Sequence, residues 1–97
     1  MPKYVILINW TDQGVKNVKD TIKRAKAFEI AIEKVGGKSN GIYYTLGKHD
    51  LVAIVEAPTD EAIASVMFST GSLGNVRTKT LKAFSTSEVA SIIEKLP

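Results

Sequence analysis

Ninety-seven residues, 44% of them hydrophobic and with a formal net charge of +3, describe one domain spanning residues 1–97 with room for a single core, near the size at which a partner subunit adds materially to stability. The absence of cysteine excludes a disulfide framework and thiolate zinc sites, and no metal site or cofactor is expected. Lys and Arg are dispersed rather than clustered, no run approaches the roughly 20 apolar residues of a bilayer span, and no signal segment is seen, so the expectation is a cytoplasmic protein with neither nucleic-acid nor membrane partners.

In chain order, Tyr4-Val5-Ile6-Leu7-Ile8 is a continuous apolar run and reads as a central strand. Thr11-Asp12-Gln13-Gly14 can cap a short helical segment. A long helix follows and ends at Gly36-Gly37, where glycine supplies a left-handed C-terminal residue. Val15, Val18, Ile22, Ala25, Ile32 and Val35 recur at helical spacing, and a restart near Asp20-Thr21 is left open because Gly14 and Asn17 weaken what precedes it. Lys16, Lys19, Lys23, Arg24, Lys26 and Lys34 interleave with Asp20, Glu29 and Glu33, the pattern of a solvated helix face.

Ile42 to Glu56 reads as a hairpin around which the chain is organised. Its first arm is aromatic and β-branched, Gly47 to Asp50 supplies the turn, and Leu51 to Val55 is apolar without alternation. Pro58-Thr59-Asp60-Glu61 opens a helix running to about Thr70, with Ala62, Ile63, Val66 and Met67 as its apolar stripe. Asn75 to Phe84 alternates like a strand with one polar face. Ser85-Thr86-Ser87-Glu88 is a capping box, and the terminal helix behind it carries Val89, Ile92, Ile93 and Leu96 on one stripe.

The order β-α-β-β-α-β plus a terminal helix implies an α+β, ferredoxin-like fold with a four-stranded antiparallel sheet ordered 4-1-3-2. Two strands that are apolar on both faces need cover on the side away from the helices. A two-fold pair of chains stacking sheet on sheet, a dimeric α/β barrel, is the simplest solution, with higher homo-oligomers open.

Four segments carry a family resemblance: Asn9-Trp10-Thr11-Asp12-Gln13-Gly14, Thr45-Leu46-Gly47-Lys48-His49-Asp50-Leu51-Val52, Val55-Glu56-Ala57-Pro58 and Gly74-Asn75-Val76-Arg77-Thr78-Lys79-Thr80-Leu81. Together they resemble the GYD-domain family, small and mostly uncharacterised proteins of the dimeric α/β-barrel class. The family is named for a Gly-x-Tyr-Asp turn, and here His49 stands where tyrosine is usual. A similar turn occurs in the effector-binding domains of Lrp-like regulators, and related barrels include cofactor-independent monooxygenases and muconolactone-type isomerases. The resemblance implies the fold and the dimer and leaves the function divided.

His49, the only histidine, is the natural general base, although a turn residue facing water is the plainer reading. Asp50 is suited to fixing the turn through backbone N–H groups, or to orienting His49. Glu29 falls inside the apolar arc of the long helix at about 100° per residue, so it either points into a cleft or curls outward to pair with Lys26, the reading preferred here. Trp10, Tyr43 and Tyr44 suit a core or a ligand pocket, with the two tyrosines on opposite faces of the sheet. Asn75 and Arg77 open the last strand, where Arg77 can clamp a carboxylate or pair with Glu56 or Asp50. The expected function is a homodimeric module binding a small molecule, with a cofactor-free oxygenase or isomerase as the alternative. An RNA-binding role fails because Leu51 to Val55 offers no stacking aromatic.

Overall fold

The computed structural model describes every residue from Met1 to Pro97. Strand β1 (Lys3–Trp10) is followed by a one-turn helix α1 (Asp12–Lys16), a 3-10 turn at Val18–Asp20 and helix α2 (Thr21–Lys34). Strands β2 (Lys38–Tyr44) and β3 (Leu51–Glu56) form the hairpin, and α3 (Asp60–Ser72), β4 (Val76–Ala83) and α4 (Thr86–Glu94) complete the chain. The sheet is antiparallel throughout, in the order β2-β3-β1-β4. This is the expected ferredoxin-like arrangement, with β1 paired on both edges.

The pleat sorts the central strands between two faces. Tyr4, Ile6 and Ile8 of β1 and Leu51, Ala53 and Val55 of β3 are buried against Phe28 and Ile32 of α2 and Ile63 and Val66 of α3. Ile6, Ile32 and Val55 are sealed, each contributing roughly 1.5–3 kcal/mol by leaving water. The opposite face has no helix on it. There the register sets Tyr43 opposite Val52 and Val52 opposite Leu7, and in the next row Ile54 opposite Val5 and Val5 opposite Leu81. These residues form a continuous apolar strip, half-buried at its centre and exposed at Tyr43 and Leu81.

Several boundaries differ from the sequence expectation. Strand β2 begins at Lys38, four residues before the hairpin was expected, because a bulge between Ser39 and Gly41 lets the chain pair past Asn40. The helical periodicity from Val15 through Ile22 does not build the core: Val15 and Val18 are exposed because the break at residues 17–20 separates them from the register of α2, and Ile22 is exposed because it lies roughly 120° around α2 from Phe28. Gly36 has φ +85° and ends α2 as expected. Ser85 accepts from the Glu88 backbone N–H while the Glu88 carboxylate accepts from the Ser85 N–H, completing the capping box of α4. Yet Val89, Ile92, Ile93 and Leu96 are exposed, and the Cα radius of gyration is 14.7 Å, against roughly 13 Å for a compact chain of this length. Helix α4 stands away from the body.

The Tyr4 hydroxyl donates to the Asp60 carboxylate, which also pairs with Lys82 at 3.4 Å. This joins β1, the start of α3 and the end of β4. Burial first, and then the bond to Asp60, push the Tyr4 phenol up to about 12, while the bonds from Tyr4 and Lys82 hold the Asp60 carboxyl below its ordinary value. A carboxyl lowered by folding stabilises above its unfolded pKa and loses that contribution as pH falls through the folded value. A phenol raised by folding stabilises below its unfolded value of 10.0 and loses the contribution as pH rises from there toward about 12. Urea midpoints measured across pH are therefore expected to form a plateau that falls at both ends. In Tyr4→Phe the alkaline fall should be reduced, and the Asp60 titration followed by NMR should move up toward that of an ordinary aspartate.

Candidate functional site: a cleft at the end of the central strand

Between α2, α3 and the inner face of the sheet lies a half-open cleft of about 250 Å3. Its walls are mainly apolar, with Ile8 and Leu51 from the central strands, Phe28 and Ala31 from α2, Met67 from α3 and Val76 from β4. Thr21, Arg24, Ser69, Thr70, Asn75 and Thr78 supply polar groups, and Trp10 also lines the cleft. A mostly apolar concavity with a few fixed polar atoms is the ordinary form of a small-molecule site, although this one is smaller than the roughly 300 Å3 at the low end of such sites.

The cleft is framed where β1 ends, and three separate stretches are tied together there. Asp50 accepts from the Trp10 backbone N–H at 2.9 Å, and the Asp50 N–H donates to the Ile8 carbonyl at 2.9 Å. Asn9 donates from its side-chain amide to the Lys48 carbonyl at 2.8 Å, and its amide oxygen lies 3.0 Å from His49 Nδ1. Thr45 Oγ1 donates to the His49 carbonyl at 2.6 Å. On the other side of β1, Thr11 Oγ1 donates to the Gly74 carbonyl at 2.6 Å, the Thr11 N–H donates to the Asn75 carbonyl at 3.0 Å, and the Gln13 amide donates to Leu73 O and Asn75 Oδ1. The hairpin loop and the start of β4 are thus clamped to one strand end.

The expected site residues separate into two groups. Trp10 and Asn75 line the cleft. Tyr44 pairs with the buried Leu51 and so shares its face; its hydroxyl is 3.1 Å from Thr21 Oγ1, and its ring lies 6.3 Å from that of Trp10. Tyr43 pairs with Val52 and belongs to the opposite face, as does Arg77, which pairs with Asn9 and donates to the Val76 carbonyl rather than to Glu56 or Asp50. His49 and Asp50 are half-buried in the loop behind the cleft and are not part of its wall. Glu29 is half-buried, lies off the cleft lining and forms no ion pair with Lys26; the one ion pair of the chain is Lys82–Asp60.

Arg24 escaped the sequence reading because it sits among alternating charges that read as a solvated face. The signal was its spacing: Thr21, Arg24, Phe28 and Ala31 follow one another at three or four residues and share a side of α2. Gly14 was read as a weak helix residue. Its role is steric, since a Cβ there would lie 2.0 Å from the Asn75 carbonyl oxygen. Gly14→Ala is expected to force α1 away from β4 and destabilise the fold by about 1–3 kcal/mol, measured by urea unfolding, with the backbone amide shifts of Thr11 and Asn75 changing most in NMR spectra.

Comparison with known proteins agrees with the fold. A family profile described as the GYD domain matches residues 4–93. A Thermus thermophilus protein named glutamine synthetase and cystathionine beta-lyase binding protein is 32% identical over 97 residues, covering 99% of each chain. A crystal structure of a protein from Thermus thermophilus superposes with a TM-score of 0.57 at 28% identity, covering 89% of this chain and 96% of that one. The Mycobacterium tuberculosis feast or famine regulatory protein, solved in complex with L-methionine, gives a TM-score of 0.67 at 17% identity over 89% of this chain and 52% of its own, a likeness of fold alone. With its profile match running from the first strand into the terminal helix, the chain belongs to the GYD family.

Proposed function

We propose that the chain is a cytoplasmic, homodimeric binding module that holds a small, partly apolar molecule in the cleft between its helices and sheet. The observation that carries this reading is the cleft itself, a mostly apolar concavity of about 250 Å3 with a few polar groups in its lining. The alternative, a cofactor-free oxygenase or isomerase, requires a base beside the bound molecule. The candidates His49 and Asp50 are instead bonded to Asn9 and Trp10 in fixing the hairpin loop, which favours binding without chemistry. Dimerisation is supported by the apolar strip of Val5, Leu7, Val52, Ile54, Tyr43 and Leu81, which a second copy stacked sheet on sheet would cover to form an α/β barrel.

A second reading has one observation in its favour. The Thermus relative is named for binding two enzymes, and here the exposed stripe of α4 offers an apolar surface of the kind a protein partner covers. On this reading the small module would dock on larger proteins, whatever the cleft contains.

Two measurements test the first reading. A survey of small apolar compounds by amide chemical shifts is expected to give hits that move Thr21, Ala25, Ala31, Asn75 and Val76 together, and Ala25→Phe, which fills the cleft, should abolish them; hits confined to the hairpin loop would refute the cleft. Sedimentation equilibrium at micromolar concentration should give a dimer, and Ile54→Lys should give a folded monomer. A wild-type monomer would remove the barrel.

A further inference from the structure

We infer that the cleft is selective for small monocarboxylates with an apolar body, and that Arg24 is the group that reads the charge. The inference rests on the binding reading above and adds the chemical class of the ligand. Arg24 is the only charged side chain in the cleft lining. It is anchored from one side: Nη1 donates to the Asn17 carbonyl at 2.9 Å and Nη2 to the Gly14 carbonyl at 3.3 Å, so the guanidinium is tied to the end of α1. Those bonds engage two of its five N–H donors. No carboxylate of the chain neutralises it, since the one ion pair joins Lys82 to Asp60.

Arg24 is half-buried as a residue, a guanidinium already held in place loses little freedom when it binds, and its planar array of donors matches a carboxylate. Thr21 lies three residues before it on the same side of α2, and Ser69, Thr70, Asn75 and Thr78 are the other neutral polar residues of the lining. Beyond them the wall is apolar, with Ile8, Phe28, Leu51 and Met67. An acid with an aromatic or branched body therefore places its charge against Arg24 and its carbon along the apolar wall. One unpaired cation suits one negative charge; a phosphate dianion would bring more charge than the cleft compensates.

Trp10 lines the cleft and is the only tryptophan, so its emission reports occupancy directly. The test is to titrate the full-length wild-type chain at low ionic strength with 3-phenylpropanoate and with 3-phenylpropanamide, which has nearly the same shape but no charge. The carboxylate is expected to bind tighter by about tenfold or more, reflecting a charge-assisted bond. Arg24→Gln should bring the two within about twofold, and Arg24→Lys should retain part of the preference. Equal affinity for the two probes on the wild-type chain would overturn the charge assignment and leave the cleft reading standing. Binding of neither probe would also overturn it, and the amide-shift survey then judges the cleft on its own. Because the ratio is measured on the wild-type chain, it does not depend on whether the variants fold.

Discussion

The structure depends on the pairing of β1 along both its edges. A strand hydrogen-bonded to β3 on one side and β4 on the other has no free backbone groups over most of its length, and its side chains decide what lies above and below the sheet. Tyr4, Ile6 and Ile8 bring α2 and α3 down on one side. Val5 and Leu7 make the other side apolar as well, so the strand that builds the core also creates a surface the chain does not cover with a helix.

The same strand positions the cleft. At Trp10 the sheet ends, and the backbone N–H groups that would have continued the ladders are taken up by Asp50 on one flank and by Asn75 on the other, where the Thr11 hydroxyl adds a bond to the Gly74 carbonyl. Buried or half-buried polar groups at a strand end must find partners, and here the partners come from two loops far apart in sequence. That requirement explains why the Asn-Trp-Thr-Asp-Gln-Gly, Gly-Lys-His-Asp and Gly-Asn segments, which form motifs in the sequence, meet in space. Their shared work is to tie the hairpin loop and the start of β4 to the end of β1. His49 and Asp50 serve that frame, and the lining is left to Trp10, Arg24 and Asn75.

Helix α4 is of a different kind. Its capping box satisfies donors of the first turn locally, but a helix shorter than roughly 12 residues is marginal in water without packing on its apolar stripe. Its apolar stripe and the open sheet face are both exposed on the same small protein. A chain of this size that leaves two such surfaces is suited to association, whether with a second copy or with a larger partner.

The elements, their order, the antiparallel sheet and the family were all legible in the residues alone, because these depend on local quantities: β-branched runs, glycine at Gly36, the Ser85–Glu88 box and apolar periods read over a few residues. Tyr43 and Tyr44 could be separated in the same way, since neighbours on a strand point to opposite faces; only the β3 register then showed that Tyr44 shares the cleft side. The remainder came from tertiary packing. The break at residues 17–20 took Val15 and Val18 out of the register of α2, Ile22 fell off the face of α2 that carries Phe28, and the close approach of Gly14 to Asn75 gave that glycine its purpose. Arg24 became a cleft residue because α2 turns that side toward the sheet, whereas Glu29, placed on the apolar arc by simple periodicity, lies off the cleft lining. Charge pattern along a helix shows which side chains share a face. Which face the sheet claims is set by distant strands, and no local spacing contains that information.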